Sequence, residues 1–471
     1  MSDSPLIRDA LAIWKAGVQA VTPAQLFRQK AFLDGNFLCV EGASIDLSEV
    51  RRLVVVGAGK ASAAMAVALQ EQLLCRLPPP LRRLPVVGWI NAPQGTYGAA
   101  DQARLGGIHL HAARPAGLNE PTAEAVSGTQ EILQLVSSCD HRDAVLCLLS
   151  GGGSALLVAP KPGVTLADKQ AVAREISAAG GDIEQLNAVR RALSDIKGGG
   201  LARACRAGRL LTLILSDVLG DPLQTIASGP TVGQASASPQ QALRVLQQLD
   251  LLARPALSRV VHFLQHSPDD SVPALAHGTQ VEHLILGNNA DAVDAAGVKA
   301  VELGYRYVMQ VAGGPEGEVR ALAKKAAAAV QQLAGQREVD CWISGGEPTV
   351  KLPAGGAGKG GRNQQLALAV LQELRQAGWP SHLAAQPAKQ RALAFVSGGT
   401  DGEDGPTDAA GAWFDVPLAQ RAIDMQLDLE DYLARADAYP FFQQLGGLLN
   451  TGPTGTNVCD LRVALAARRW A

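Results

Sequence analysis

The chain has 471 residues, a formal net charge of -2 at pH 7 and an isoelectric point of about 6.5. A single hydrophobic core rarely extends over a chain of this length, so two domains are expected. The near-neutral charge argues against a nucleic-acid-binding protein and against attachment to an anionic membrane surface.

Cysteine usage and hydropathy bear on the cellular compartment. The seven cysteines show neither a CxxC pair nor a Cys/His spacing typical of a metal site, so we expect reduced thiols. The chain has no run of about 18 apolar residues that would span a membrane. Its first residues also lack the apolar segment of a signal peptide. We therefore expect a cytoplasmic protein without a membrane or nucleic-acid partner.

The first recurring unit of the chain is an apolar strand followed by a glycine turn. An amphipathic helix is predicted from about residue 6 to residue 21, and the buried strand Leu53–Val56 follows. After this strand come Gly57, Gly59 and Lys60. The turn falls short of the dinucleotide-binding fingerprint, because its third small position is a serine and no acidic residue follows about 20 positions later. Lys60 is interpreted as a phosphate-facing cation, and a solvated surface lysine remains the alternative.

The most apolar unit begins with the predicted strand Ala144–Leu149, which is typical of a parallel sheet covered on both faces. A glycine loop leads from it into a helix. Such a loop lets the backbone approach a ligand, and the free N–H groups at the helix start attract anions. The candidate binding residues of this loop are Ser150, Gly151, Gly152, Gly153 and Ser154.

Three charged residues follow in the same half of the chain. Arg190 is a candidate binding residue, although adjacent arginines such as Arg190 and Arg191 are more commonly solvated charges on a helix. Lys197 precedes three glycines at a predicted helix start, a setting that favours anion binding. Asp217 follows a predicted apolar strand, and a carboxylate at the carboxyl end of such a strand points into the ligand crevice of an open α/β sheet. It is therefore a candidate catalytic base or metal ligand.

The second half of the chain repeats the strand–glycine pattern. Binding residues are predicted at Asn288, Glu347 and Asn363. Arg362 stands at a predicted helix start, where its guanidinium would offer two donors to a phosphate or carboxylate. The glycine loop after the last long apolar run contains three aspartates, which suggests a hard cation beside a phosphate. Its candidate metal ligands are Asp401 and Asp404.

These residues suit phosphoryl transfer, which depends on positioning and charge neutralisation more than on covalent catalysis. The Walker motif, the protein-kinase motifs and the nucleophile elbow of serine hydrolases are missing. None of the eight histidines lies inside a glycine loop, which counts against a dehydrogenase with a histidine acid or base.

Taken together, several motifs resemble the glycerate 2-kinase family, whose C-terminal half is known as the MOFRL domain. The segments that carry the resemblance are Leu148–Leu157, Leu215–Thr231, Gly345–Thr349, Gly360–Gln364 and Ser397–Gly411. The resemblance implies phosphorylation of D-glycerate to 2-phosphoglycerate with ATP and Mg²⁺ or another divalent cation. It also implies that Lys60 and Arg362 match basic residues of the active site. The assignment of the metal to Asp217, Asp401 and Asp404 comes from the chemistry of the residues alone.

The resemblance implies an α/β fold with two α/β domains and an active site in the cleft between them. We expect a Rossmann-like first domain with a largely parallel sheet over residues 1–275 and a MOFRL-type domain over residues 276–471. Catalysis is assigned to Lys60, Arg362 and Asp217. The alternatives are an NAD(P)H-dependent hydroxypyruvate reductase and a non-catalytic protein that binds phosphorylated metabolites.

Overall fold

The computed structural model describes residues 4–115, 120–232, 238–268, 278–335, 338–353, 356–381 and 391–468. The chain divides into two compact units, one of residues 23–286 and one that combines residues 1–22 with residues 287–471. We call the second the composite unit. The domain boundary that the sequence predicts, between residues 275 and 276, lies outside the described residues, and the sequence-based division placed residues 1–22 with the other unit.

The elements up to residue 286 alternate between strands and helices after a short meander. In chain order they are α1 (Pro5–Ala20), α2 (Pro23–Lys30), β1 (Ala31–Asp34), β2 (Phe37–Val40), β3 (Ala43–Asp46), β4 (Arg52–Ala58), α3 (Ser62–Gln72), β5 (Val86–Pro93), α4 (Ala99–Arg104), β6 (Ile108–Arg114), α5 (Ala123–Ser137), β7 (Asp143–Ser150), α6 (Gly153–Leu156), α7 (Leu166–Ala178), α8 (Ile183–Ala192), α9 (Gly200–Ala204), β8 (Arg209–Leu215), α10 (Pro239–Gln248), α11 (Ser258–His266) and β9 (Gln280–Gly287). Short 3-10 turns cover Leu74–Arg76, Pro79–Arg83, Ile226–Ser228 and Pro255–Leu257.

The main sheet of the 23–286 unit has the strand order β6-β5-β4-β7-β8-β9. Strand β4 pairs in parallel with β5 and β7, and β5–β6 and β7–β8 are also parallel. Every residue of β7 is buried, as expected for a strand covered on both faces. Because β4 and β7 are parallel neighbours, the turns that follow them meet at one edge of the sheet. This edge is where ligands bind in open α/β sheets.

The composite unit continues the chain with a second sheet and its helices. Its further elements are α12 (Asn289–Glu302), β10 (Tyr307–Val311), α13 (Val319–Gly335), β11 (Cys341–Gly346), α14 (Arg362–Gln376), β12 (Leu393–Gly399), β13 (Gly411–Asp415), α15 (Val416–Asp424), α16 (Leu429–Ala434), α17 (Ala438–Leu445), β14 (Leu448–Leu449) and β15 (Asp460–Ala466). The sheet order is β10-β11-β15-β12-β13-β14. Strand β10 runs parallel to β11, whereas β15 is antiparallel to both of its neighbours.

Helix α1 belongs to the core of the composite unit. Its apolar face buries Ile13 and Trp14, and Trp14 Nε1 donates a hydrogen bond to Leu461 O of β15 at 3.0 Å. Close approach of α1 to α12 requires a small residue, because a Cβ at Gly17 would lie 2.7 Å from Ala292 O. The predicted α/β class with two units is confirmed. No described helix combines the length and the hydropathy that crossing a membrane requires.

Candidate functional site

The turn after β4 and the loop after β7 are joined directly. Lys60 N donates to Gly151 O at 2.8 Å. A Cβ at Gly57 would lie 2.2 Å from Leu148 O, and one at Gly59, whose φ is +149°, would lie 2.1 Å from Ser150 Oγ. The sequence analysis predicted that these glycines let the backbone approach a ligand. In the structure they are needed because the backbone at the end of β4 lies too close to β7 to accommodate a Cβ.

Ser150 has a structural position at the end of β7. Its side chain is buried, and its Oγ accepts a hydrogen bond from Ala61 N at 2.9 Å. Ser62 Oγ lies 3.2 Å from the same oxygen and also donates to Leu148 O. The serine predicted to contact substrate thus fixes the start of helix α3 against strand β7.

Gly152 lies beside two cationic side chains. It has a φ of +76°, and a Cβ there would lie 3.3 Å from Arg114 Nη2 and 3.5 Å from Lys60 Cγ. Arg114 is buried at the carboxyl end of β6. The sequence analysis missed this residue, although a basic residue at the end of a parallel strand was an available signal. Lys60, Arg114 and the glycine loop together provide positive charge and backbone donors, which are the groups that bind phosphate.

The other end of the same loop contacts a buried lysine. Lys197 is only 1% exposed, and its Nζ donates to Ser154 O at 2.9 Å. Ser228 links the surrounding segments, because its Oγ donates to Asn187 Oδ1 at 3.0 Å and lies 2.9 Å from Ser154 Oγ. Ala227 and Ser228 adopt left-handed backbone angles, with φ values of +50° and +63°. Consecutive non-glycine residues in this region are strained, and such strain concentrates at functional sites.

Further positive charges surround Lys197. Burial lowers its pKa well below the ordinary value, and the charges of Arg190, Lys169 and Arg191 lower it further. Burial also lowers the pKa of Lys169 to about 7, with Arg190 adding to the effect and Asp195 opposing it. The structure thus brings Arg190 and Lys197 together, as predicted binding residues, and adds two cations that the sequence analysis had not selected.

Asp217 is half-buried just after β8, on the sheet edge where the sequence placed it. Within the described ranges, His, Cys, Asp and Glu side chains form no group of three or more that could hold a metal ion. Mg²⁺ needs no such group, because proteins often hold it through one or two carboxylates and substrate phosphates. Asp217 and Asp401 therefore remain candidates.

Arg362, the first residue of α14, is held by two carboxylates. Its Nε and Nη2 donate to Asp460 Oδ2 and Oδ1 at 2.8 and 2.9 Å, and its Nη1 lies 2.7 Å from Glu347 Oε1. Burial disfavours the charge of Arg362, but Asp460 and Glu347 outweigh this effect and raise its pKa. Asp460 begins β15 and was not selected by the sequence analysis. It fixes the guanidinium plane by the bidentate geometry that suits arginine and carboxylate.

Asp404 anchors the helix that carries Arg362. Its Oδ1 accepts from Asn363 N at 3.0 Å, and its Oδ2 accepts from Gln364 N at 2.8 Å. A Cβ at Gly361 would lie 2.2 Å from Asp404 Cγ, so this contact requires a glycine before Arg362. Burial raises the pKa of Asp404 to about 7, against the effect of the two backbone donors. The structure therefore places Asp404 where it anchors the start of α14. The sequence analysis predicted this residue only as a metal ligand.

The remaining predicted residues of the composite unit also have local partners. Asn363 is buried, and its Oδ1 accepts from Ser397 Oγ at 2.6 Å. Asn288 caps α12, because its Oδ1 accepts from Asp291 N at 3.2 Å. Asp401 accepts from Glu403 N at 3.0 Å within its own loop. Glu347 thus pairs with Arg362, and Asn363 bonds to Ser397 and Asp404 at the start of α14. Asn288 and Asp401 accept hydrogen bonds within their own loops.

Two family models match this chain. A domain of unknown function, DUF4147, matches residues 9–265, and the MOFRL family matches residues 340–460. The glycerate kinase of Rattus norvegicus is 37% identical over 514 residues, which cover 98% of this chain and 93% of that protein. The chain belongs to the glycerate kinase family. The resemblance predicted from the motifs is confirmed.

Other members of the glycerate kinase family support the assignment. The D-glycerate 2-kinase of Thermotoga maritima is 32% identical, and the match covers 97% of each chain. A crystal structure of glycerate kinase from Thermotoga maritima superposes with a TM-score of 0.75 at 31% identity, over 98% of this chain and 99% of that one. The MOFRL match includes Glu347, Arg362 and Asp404 and ends at Asp460. The paired residues around the guanidinium thus lie within a segment shared with the family.

Proposed function

We propose that this protein transfers the γ-phosphoryl group of ATP to the C2 hydroxyl of D-glycerate, giving ADP and 2-phosphoglycerate. The observation that carries the proposal is the match to named glycerate kinases over nearly the whole of both chains. The site geometry supports it, because cations and backbone donors surround the glycine loop at a sheet edge. Phosphoryl transfer requires these groups to position the phosphates and to neutralise their charge.

In this proposal Lys60 and Arg362 are the principal cationic donors. The glycerate C2 oxygen bonds to the γ-phosphorus as the bond to the ADP oxygen breaks, and the hydroxyl proton leaves to a base. Lys60, beside Gly152, stabilises negative charge on phosphoryl oxygens. Arg362 presents a guanidinium whose plane Asp460 has already fixed, so little conformational entropy is lost when it binds an oxyanion.

A divalent cation is proposed to accompany ATP. Its candidate protein ligands, each considered within its own unit, are Asp217 of the 23–286 unit and Asp401 of the composite unit. Carboxylate oxygens are the protein ligands that Mg²⁺ prefers. When bound, the cation would neutralise the β- and γ-phosphate oxygens. Asp404 is not included, because both of its oxygens accept hydrogen bonds from the first turn of α14.

The reductase alternative lacks the expected turn. A Cβ at Gly57 or Gly59 would meet Leu148 or Ser150 of β7, so strand packing accounts for both glycines. The dinucleotide fingerprint also needs glycine or alanine at its third position, and here that position is Ser62.

The deciding experiment supplies purified protein with D-glycerate, ATP and Mg²⁺. We expect ADP by a coupled assay and 2-phosphoglycerate, distinguished from the 3-phosphate by phosphorus NMR. A parallel sample receives hydroxypyruvate with NADH or NADPH and should oxidise neither. Nicotinamide oxidation at an enzymatic rate without ADP formation from D-glycerate would contradict the kinase and restore the reductase. Metabolite binding without either reaction would instead favour a binding protein.

A further inference from the structure

Four cationic side chains gather in the described part of the 23–286 unit, and the carboxylates described near them are fewer and exposed. Lys169, Arg190, Arg191 and Lys197 form this group, which we call the cationic cluster. Lys169 and Lys197 are buried, and the two arginines are half-buried. The carboxylates that act on it are peripheral: Asp195 affects Lys169 and Glu184 affects Arg191, and both carboxylates are exposed.

Among the residues that the structure describes, the two lysines donate their hydrogen bonds to neutral oxygens. Lys169 Nζ donates to Leu193 O at 3.1 Å, and Lys197 Nζ donates to Ser154 O at 2.9 Å. Ala227 O and Ser228 Oγ lie farther from Lys197 Nζ, at 3.5 Å each. Neutral acceptors orient an ammonium group but do not offset the free energy of burying its charge.

The two arginines are still less well partnered. Among the described residues neither forms an ion pair, and the buried Nε of Arg191 has no hydrogen-bond partner. Both lie in the last turn of α8, where a basic side chain favourably opposes the helix dipole. The dipole would explain one exposed arginine. It does not explain the two buried lysines near the same helix end. Lys169 Nζ donates to the oxygen of Leu193, which caps α8, and Lys197 Nζ lies 3.5 Å from the Ser228 hydroxyl that is bonded to Asn187 of α8.

We infer that the cationic cluster binds an oxyanion of the ligand, either a carboxylate or a phosphate group. The half-buried residues Arg190 and Arg191 supply the guanidinium donors, and the buried Lys169 and Lys197 add positive charge. The cluster adjoins Ser154, two residues after Gly152 in the same glycine loop, and Lys60 and Arg114 lie beside Gly152. The strained Ala227 and Ser228 contribute two of the oxygens near Lys197 Nζ, the backbone oxygen of Ala227 and the side-chain oxygen of Ser228.

The proposed function supplies two sources of such an oxyanion, the carboxylate of D-glycerate and the phosphates of the nucleotide. The inference rests on that function only for the choice of these two probes. Equilibrium binding of D-glycerate and of ADP, each alone, is measured by calorimetry for the wild type and for Arg190→Gln. The substitution should weaken binding of one probe by about tenfold or more, since hydrogen bonds to charged groups contribute strongly.

The probe that is affected identifies the source. A loss confined to D-glycerate assigns the cluster to the carboxylate, and a loss confined to ADP assigns it to phosphate. The matched control is Arg174→Gln on α7, where the side chain is 60% exposed and 4.0 Å from Glu120. It should bind both probes as the wild type does. Unchanged binding of both probes to folded Arg190→Gln and Arg191→Gln would overturn the inference.

A second measurement does not depend on kinase activity. At constant ionic strength, inorganic phosphate should raise the Tm of the wild type and of Arg190→Lys, because an anion that binds the folded state stabilises it. The rise in Tm with phosphate should be smaller for folded Arg190→Gln. If Arg190→Gln does not fold, Arg191→Gln is measured in its place. Protection by phosphate without any 2-phosphoglycerate formation would support the anion site while contradicting the proposed function. Equal protection of wild type and neutral variants would contradict the site.

Discussion

Arg362 and Asp460 form a bidentate pair, in which two guanidinium nitrogens donate to the two carboxylate oxygens at 2.8 and 2.9 Å. The carboxylate is fully buried, and the guanidinium is also 2.7 Å from Glu347. The pair joins the first residue of α14 to the first residue of β15. It therefore fixes both the position and the plane of the proposed catalytic arginine.

Asp460→Asn should lower kcat, because the amide cannot accept two parallel hydrogen bonds and Arg362 loses its fixed plane. Since Arg362 is about one-third exposed, the loss of stability should be modest, about 1–3 kcal/mol. Arg362→Lys should also lower kcat, since an ammonium keeps the charge but not the fork. The control is Arg435→Lys, at an exposed arginine that pairs with Asp431, and its kinetics should match the wild type. A normal kcat in folded Asp460→Asn would exclude the positioning function.

Lys60→Met should reduce kcat/KM by about 100-fold or more while the protein stays folded, because a cationic contact to the transferring phosphoryl group is lost. Steady-state kinetics and circular dichroism provide the test. Lys299→Met is a suitable comparison, because Lys299 lies on α12 and pairs there with Glu302. Near-normal turnover by folded Lys60→Met would show that this lysine is a solvated surface residue.

Asp217→Asn should raise the Mg²⁺ concentration required for half-maximal activity, because a carboxylate ligand becomes a weaker neutral one. Activity is titrated with Mg²⁺ at fixed ATP for the wild type, Asp217→Asn and Asp401→Asn. If only Asp401→Asn raises the Mg²⁺ concentration required for half-maximal activity, the metal ligand is assigned to the composite unit instead. Titrations that coincide for all three proteins would remove both carboxylates from the proposal.

The stability of the wild type should depend on pH through Asp404. Burial and the charge of Asp460 raise its folded-state pKa to about 7, despite two helix N–H donors and Arg362. An unfolded aspartate has a pKa of about 3.9. The folded state then binds more protons than the unfolded state between these values, so the contribution of Asp404 to the unfolding free energy is largest below pH 4 and falls as the pH rises to 7.

Urea unfolding of the wild type and Asp404→Asn at pH 4.5, 5.5 and 6.5 measures this contribution by difference. The wild type should lose stability relative to the variant as the pH rises. A difference that stays constant, or that changes in the opposite direction, would contradict the raised pKa.

Gly59→Ala should destabilise the 23–286 unit. A Cβ there would lie 2.1 Å from Ser150 Oγ and 2.5 Å from Ser150 O, so the backbones of the β4 turn and β7 would have to separate. Overpacking of this kind commonly costs about 1–3 kcal/mol or more. Gly95→Ala is the control for backbone strain alone, because Gly95 has a φ of +85° and open space around its Cβ position. Equal shifts in Tm for the two variants would refute the close contact.

The strands and helices that depend on residues close together in the chain could be predicted from the sequence. The apolar run Ala144–Leu149 predicted a parallel strand covered on both faces, and β7 confirms it. The helix near the N-terminus was also predicted, and α1 confirms it. Its packing partner was not predictable, because an amphipathic pattern indicates a buried face without saying what covers it.

The site residues could be predicted only in part for the same reason, because their contacts join segments that are distant in the chain. Asp404 lies in a glycine loop with other aspartates, a pattern that suits a metal ligand as well as a helix anchor. Only the fold brings it to Asn363 and Gln364, about 40 positions away in sequence. Asp460 was missed because it is separated from Arg362 by 98 positions. Arg114 was missed for a similar reason, since its proximity to Gly152 depends on the order of the strands.

The position of β15 sets an order of events during synthesis. This strand lies between β11 and β12 in the interior of its sheet, and Trp14 of α1 is bonded to it. On a growing chain, the strands of the 23–286 unit emerge together, whereas β11 and β12 remain unjoined until residues 460–466 have been translated. Helix α1 precedes the 23–286 unit in the chain, so it is synthesised long before β15, to which it is bonded. The composite unit therefore closes only after β15 has been made, by joining segments that lie on either side of the 23–286 unit in the chain.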